Sequence, residues 1–157
     1  MHVTLLLADA AQSVANKLYI LGGGWSISGP DPSPSAIALL IKVPWDQANL
    51  NHEMRLDLVD ADGQPVMVGA QGEELEPVVI HNDFEVGRAP GMTPGTPIDI
   101  SMAINLAPLP LRPGTRYEWR LTIGDRSDEH WRLPFSVRPA PPGWRAPPEF
   151  PPELLED

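Results

Sequence analysis

A chain of 157 residues is long enough to bury a sizeable core, and a hydrophobic content of 42% argues against disorder throughout. A formal net charge of -10, with 11 basic residues scattered in no run, argues against nucleic-acid backbones and anionic membrane surfaces as partners. There is no cysteine, which excludes disulfides, thiolate nucleophiles and cysteine-based zinc sites and fits a cytoplasmic protein.

Twenty prolines and 13 glycines favour short strands joined by turns over long helices. The opening stretch, MHVTLLLADAA, has no positive n-region and breaks at Asp9. It reads as a strand over residues 2–8 and not as a signal peptide. No stretch approaches the roughly 20 apolar residues of a membrane span. Residues 9–17 (DAAQSVANK) read as a short helix with Asp9 as N-cap. Residues 17–21 (KLYIL) read as a strand that runs into Gly22, Gly23, Gly24 and then Trp25.

The third strand, residues 36–43, puts Ile37, Leu39, Ile41 and Val43 on one face. Trp45 follows a proline, and Asp46 is placed to cap a helical turn. Residues 53–68 (EMRLDLVDADGQPVMV) give the clearest hairpin signal: Met54, Leu56 and Leu58 alternate with charges, and Asp62-Gly63 supplies the turn. Weaker strands follow at 78–80 and 83–86, then a loop over 88–97. Residues 98–106 alternate as a half-buried strand. Tyr117, Trp119, Leu121 and Ile123, then Trp131, Leu133, Phe135 and Val137, form a final alternating pair. Tyr117, just after a Pro-Gly turn at the start of a late strand, fits the tyrosine corner of immunoglobulin-like domains. Beyond Arg138 the proline-dense PAPPGWRAPPEFPPELLED favours polyproline II. This tail either docks Trp144 and Phe150 on its own sandwich or offers them to a groove elsewhere. The closing ELLED is one helical turn or frayed.

Little chemistry is written in the motifs. The contiguous glycines match neither the dinucleotide fingerprint nor a Walker loop, and WSISGPDPSP cannot open a helix. They mark a bulge, a close backbone approach, or room for a ligand stacked on Trp25. His2, His52, His81 and His130 show no metal-ligand spacing. No G-x-S-x-G surrounds a serine, and Asp60 and Asp62 suit a turn better than a calcium loop. Glu73, Glu74 and Glu76 read as a solvated acidic loop. Trp119 and Trp131 fall on inward patterns, which leaves Trp25, Trp45 and Trp144 for a surface. No catalytic residue, metal site or cofactor is assigned.

ADAAQSVANKLYILGGGW and VPWDQAN, with the later RLDLVDADGQPV and YEWRL runs, resemble a family of short, uncharacterised bacterial proteins with a K-L-Y-I-L-G-G-G-W signature. The resemblance spans most of residues 1–138. It implies a bacterial cytoplasmic origin and brings with it no activity and no catalytic residues.

The expectation is one all-β domain over residues 1–138, an antiparallel β-sandwich immunoglobulin-like in outline, followed by a Pro-rich C-terminal tail over 139–157. The expected function is a non-catalytic protein-interaction or assembly module. It would meet a protein partner, or a second copy of itself, through a sheet edge or the surface around Gly22, Gly23, Gly24, Trp25, Trp45 and Asp46. Two alternatives stay open. A small-ligand or glycan binder requires the Trp25 and Trp45 indoles in one pocket. An enzyme built from distant residues requires a histidine bonded to a carboxylate inside a cleft.

Overall fold

Period-two alternation in the sequence becomes the division between core and solvent. The computed structural model describes residues 1–70, 72–148 and 150. Its strands are β1 (His2–Ala8), β2 (Ala10–Val14), β3 (Lys17–Leu21), β4 (Ile27–Ser28), β5 (Ser35–Val43), β6 (His52–Asp60), β7 (Met67–Val68), β8 (Glu76–Pro77), β9 (Val79–Phe84), β10 (Ile98–Leu106), β11 (Arg116–Ile123) and β12 (Arg126–Val137). A single 3-10 turn, Trp45–Gln47, follows β5. No helix among the described residues is long and apolar enough to cross a membrane.

One antiparallel sheet runs β1-β5-β10, and a second runs β4-β12-β11-β6-β9, with β4 parallel to the end of β12. The connectivity is that of an immunoglobulin-like sandwich. The first sheet carries the A, B and E strands, and the second carries G, F and C with an added C′ strand. Ile37, Leu39, Ile41 and Val43 pack as expected between the sheets, against Met54, Leu56, Leu58, Trp119 and Leu121. Each such side chain contributes roughly 1.5–3 kcal/mol by leaving water. Trp119 and Trp131 are both core, so neither belongs to a surface site.

The tyrosine corner forms. The Tyr117 hydroxyl accepts a hydrogen bond from the Arg112 backbone N–H at 2.9 Å, five residues upstream. Tyr117→Phe keeps the ring and removes that acceptor, and should cost about 1–2 kcal/mol in urea unfolding. Burial also pushes the Tyr117 phenol above its ordinary pKa. The fold therefore favours the neutral form. Its contribution is complete below about pH 10, where an unfolded tyrosine titrates, and is lost as pH rises through the raised folded value. Wild-type stability should fall in that alkaline range and the Tyr117→Phe variant should fall less. An equal alkaline loss in both proteins would assign the effect to another group.

The weak strands expected at 78–80 and 83–86 are one strand, β9, and two further expected elements differ from the structure. Among the described residues, the strand expected to return from the Asp62-Gly63 turn meets β6 over 64–66, through the Val59–Pro65 bridge, an Asp60 N–H bond to the Gln64 carbonyl at 2.9 Å and a Val66 N–H bond to the Leu58 carbonyl at 3.0 Å. The next bond on this edge of β6, from the Leu58 N–H, goes instead to the Val78 carbonyl at 3.1 Å. The chain leaves to form the small β7–β8 pair, and β9 takes the place beside β6. The turn itself is held by Asp60, whose Oδ1 accepts from the Asp62 and Gln64 N–H groups at 2.9 Å each.

The second difference is larger. Residues 9–17 are not helical. Residues 10–21 form the β2–β3 hairpin, and the two-residue turn Ala15-Asn16 has φ of 50° and 57°. Positive φ at both central positions is the primed turn that matches strand twist, and Asn tolerates it well. The hairpin packs on the outer face of the three-stranded sheet, over a layer of Ala8, Ala11, Ala36 and Ala38. Small side chains here let a third layer lie close, which explains why both faces of β5 are apolar.

Candidate functional site

The hairpin is held by side chains acting as backbone. The Asn105 amide accepts from the Ala11 N–H at 3.2 Å and donates to the Ala11 carbonyl at 2.8 Å. At the turn, the Asn16 amide donates to the Asp99 carbonyl at 2.9 Å and accepts from the Ser101 N–H at 2.8 Å. The Ser13 hydroxyl donates to the Ser101 carbonyl at 2.9 Å. The Asn16 and Ser13 bonds pair backbone groups of β10, and the Asn105 bonds pair those of β2, that open edges would leave bare.

The glycines serve this attachment. Gly22 and Gly24 sit at φ of 60° and 89°, where a β-carbon is strained. A β-carbon on Gly22 would run into the Asp9 carboxylate, and one on Gly23 would stand 2.6 Å from Ile20 Cγ2 and 3.1 Å from Leu6 Cδ1. The Gly24 N–H donates to the Leu7 carbonyl at 2.7 Å, and the Asp9 N–H is shared between the Leu21 and Gly22 carbonyls at 3.0 and 3.2 Å. The glycines therefore turn the chain off the hairpin and back against β1, which is the bend-and-close-approach reading of the sequence.

Trp25 is half-buried and meets Phe135 edge-on at 6.1 Å. Its indole N–H is buried without an acceptor among the described residues, so packing alone holds the ring. The cavity beside it, with Leu7, Ser35 and Trp119 in its walls, measures about 40 Å³. Trp45 lies past the other end of β5, in an open groove of about 630 Å³ that it shares with Met1 and His2. The nine residues of β5 between them span about 27 Å. Arg88 also covers a face of Trp45: its guanidinium lies 4.7 Å from the ring centroid and donates to the Trp45 carbonyl at 2.7 Å. The two indoles share no pocket, and the aromatic floor of a glycan binder is not formed. Asp46 is exposed in the first turn of the 3-10 segment, whose N-cap is Pro44, and makes no capping bond. The six residues proposed from the sequence thus fall at two ends of the sandwich.

The histidines are separate too. His52 bonds the Gln47 carbonyl at 2.9 Å and stacks on Phe84. His130 Nδ1 meets Asp128 Oδ1 at 2.9 Å, on exposed residues of β12. The His130 backbone and ring N–H groups hold the Asp128 carboxyl below its usual range. Asp128 rims a groove of about 580 Å³ on the outer face of the five-stranded sheet. Its arginines are matched by acids: Arg55 with Asp57 and Arg120 with Glu118, each at 2.8 Å, and Arg132 with Glu118 at 3.8 Å. Such exposed pairs contribute little and describe a solvated sheet face. Among the described residues no group of three or more His, Asp or Glu side chains could hold a metal ion.

The described part of the tail folds back on its own chain. The Trp144 indole donates to Asp31 Oδ1 at 2.7 Å and meets the buried Phe150 edge-on at 5.9 Å. The expected ELLED turn lies outside the described residues. Trp144→Ala should lower stability by about 1 kcal/mol, or a melting temperature by about 2–4 °C. An unchanged melting curve would show that the contact holds nothing in place.

What remains is a surface that no motif announced. Ser13 and Ile20 of the sheet-facing set are also exposed, Ile20 at 36%, but every second side chain on β2 and β3 points fully outward. Val14 (52%), Tyr19 (57%) and Leu21 (72%) are the large apolar members of that set. Asn16, at a two-residue turn between two alternating segments, was the one sequence signal for it. A family model described as a family of unknown function (DUF6941) matches residues 3–138. No curated protein matches the chain.

Proposed function

The chain belongs to the DUF6941 family of unknown function, and from that premise we propose that it is a non-catalytic interaction module that docks a protein partner on the outward face of the β2–β3 hairpin. The observation that carries this reading is the exposure of Val14, Tyr19 and Leu21 on a hairpin pinned from beneath. Apolar side chains gathered on one face of a soluble domain mark contact sites. The pinning matters as much. A surface already ordered loses little further entropy when it binds.

Photo-crosslinking in cells tests it. With p-benzoylphenylalanine in place of Tyr19, irradiation should give one or a few discrete heavier adducts. The same group in place of the exposed Glu129, on β12, should give none. No adduct from position 19, or equal adducts from both positions, would overturn the proposal.

A further inference from the structure

The β3 edge is unpaired. Among the described residues its only ladder partner is β2, and the Ala11 N–H and C=O, taken by Asn105, mark Ala11–Ile20 as a non-bonded pair. The ladder bonds therefore fall at Val14–Lys17, Gln12–Tyr19 and Ala10–Leu21. The N–H and C=O groups of Leu18 and Ile20 point away from β2, and no described residue bonds them. We propose that this edge is completed by a second copy of the chain, β3 pairing antiparallel with β3 about a two-fold axis at Tyr19. The inference rests on the hairpin reading above and names its partner.

Three features select a second copy. The first is register. About an axis at Tyr19, Leu18 faces Ile20 of the other copy and Ile20 faces Leu18. These are the residues whose backbone groups are free, and two such pairs close four N–H···O=C bonds. The second is side-chain fit. Tyr19 meets Tyr19 in the non-bonded pair, where side chains approach most closely, and Lys17 meets Leu21. The two lysines stay about 14 Å apart along the strand, beyond the screening length at physiological salt. The third is charge. Two chains at -10 repel each other, yet residues 10–30 contain no Asp or Glu, although the chain holds 21 acidic residues. The hairpin strands carry no carboxylate of their own, and the Asp9 carboxylate beside Gly22 falls at the end of the paired segment, toward Lys17 of the other copy rather than toward its own counterpart.

Sedimentation velocity of the purified full chain from micromolar to hundreds of micromolar tests the dimer. The wild type should dimerise, and more tightly at 0.5 M than at 0.05 M salt, because added salt screens the net repulsion. Tyr19→Lys sets two lysines face to face and should weaken the dimer about tenfold or more. Tyr19→Glu should do the same, and an equimolar mixture of the two variants should recover a heterodimer. Tyr19 is exposed, so both variants should keep the wild-type melting temperature at concentrations where the wild type is monomeric. A monomeric wild type at every concentration would overturn the dimer. So would a Tyr19→Lys chain that dimerises like the wild type, or variants that fail to pair when mixed. If the wild type is monomeric while position 19 still crosslinks to another protein, the self-pairing is wrong and the docking face stands.

Discussion

Gly23→Val should destabilise the protein by about 2–3 kcal/mol, lowering its melting temperature by about 5–10 °C. The added β-carbon would stand 2.6 Å from Ile20 Cγ2 and 3.1 Å from Leu6 Cδ1. Ile20 is β-branched and has few rotamers to retreat to. Moving it means lifting β3 off the sheet. The loss should be local before it is global. Hydrogen exchange at hairpin amides should quicken, while Leu56, Trp119 and Leu121, deep between the sheets, keep wild-type protection. A Gly23→Val protein as stable as the wild type would show that β3 is not seated on Leu6. The variant also separates two roles of the glycines. If it stays folded and dimeric, close packing under the hairpin is not needed for the edge to pair.

Asn105→Ala should cost a similar amount, about 2–3 kcal/mol, for a different reason. One amide serves both the N–H and the C=O of Ala11, a residue with 3% exposure. Alanine leaves both groups unpaired, and an unmade buried bond costs more than a made one contributes. Asn105→Asp gives the internal control. It still accepts from the Ala11 N–H but cannot donate to the carbonyl, so it should fall between wild type and Asn105→Ala. Chemical denaturation of the three proteins reads the order directly. Equal stability of Asn105→Ala and wild type would mean that water replaces the amide at no cost.

Much of the sandwich was legible because alternation is a local signal. Residues 36–43, 117–123 and 131–137 each carry their inward face in plain order, and a tyrosine after a Pro-Gly turn marked the corner. The missed features depended on partners distant in sequence. Residues 9–17 have the small, polar composition of a weak helix, and only their packing over Ala36 and Ala38 makes them a hairpin. Tertiary context overrides propensity of that size. The Asp-Gly turn was read correctly, yet Val78 and β9, later in the chain, take the place on β6 that the returning strand was expected to fill. For the candidate site, Gly22 to Gly24 were noticed for the right local reason, a backbone needing room. Trp25 and Trp45 were grouped because both are indoles near turns; a strand was read between them at 36–43, but the path of residues 26–34 that leaves Trp25 at its far end was not legible.

The side-chain alternation of β2 and β3 also bears on how such a surface can change over generations. Ala11, Ser13 and Leu18 hold the hairpin down, while positions 12, 14, 17, 19 and 21 of the same twelve residues face away. Substitutions at the outward set alter the exposed surface without disturbing what anchors it. If that face docks a partner as proposed, its specificity can drift one residue at a time, and the sandwich beneath need not adjust. The same property makes those five positions the natural choice for a designed library: a small, rigid, two-stranded panel whose fastening is written in the residues between.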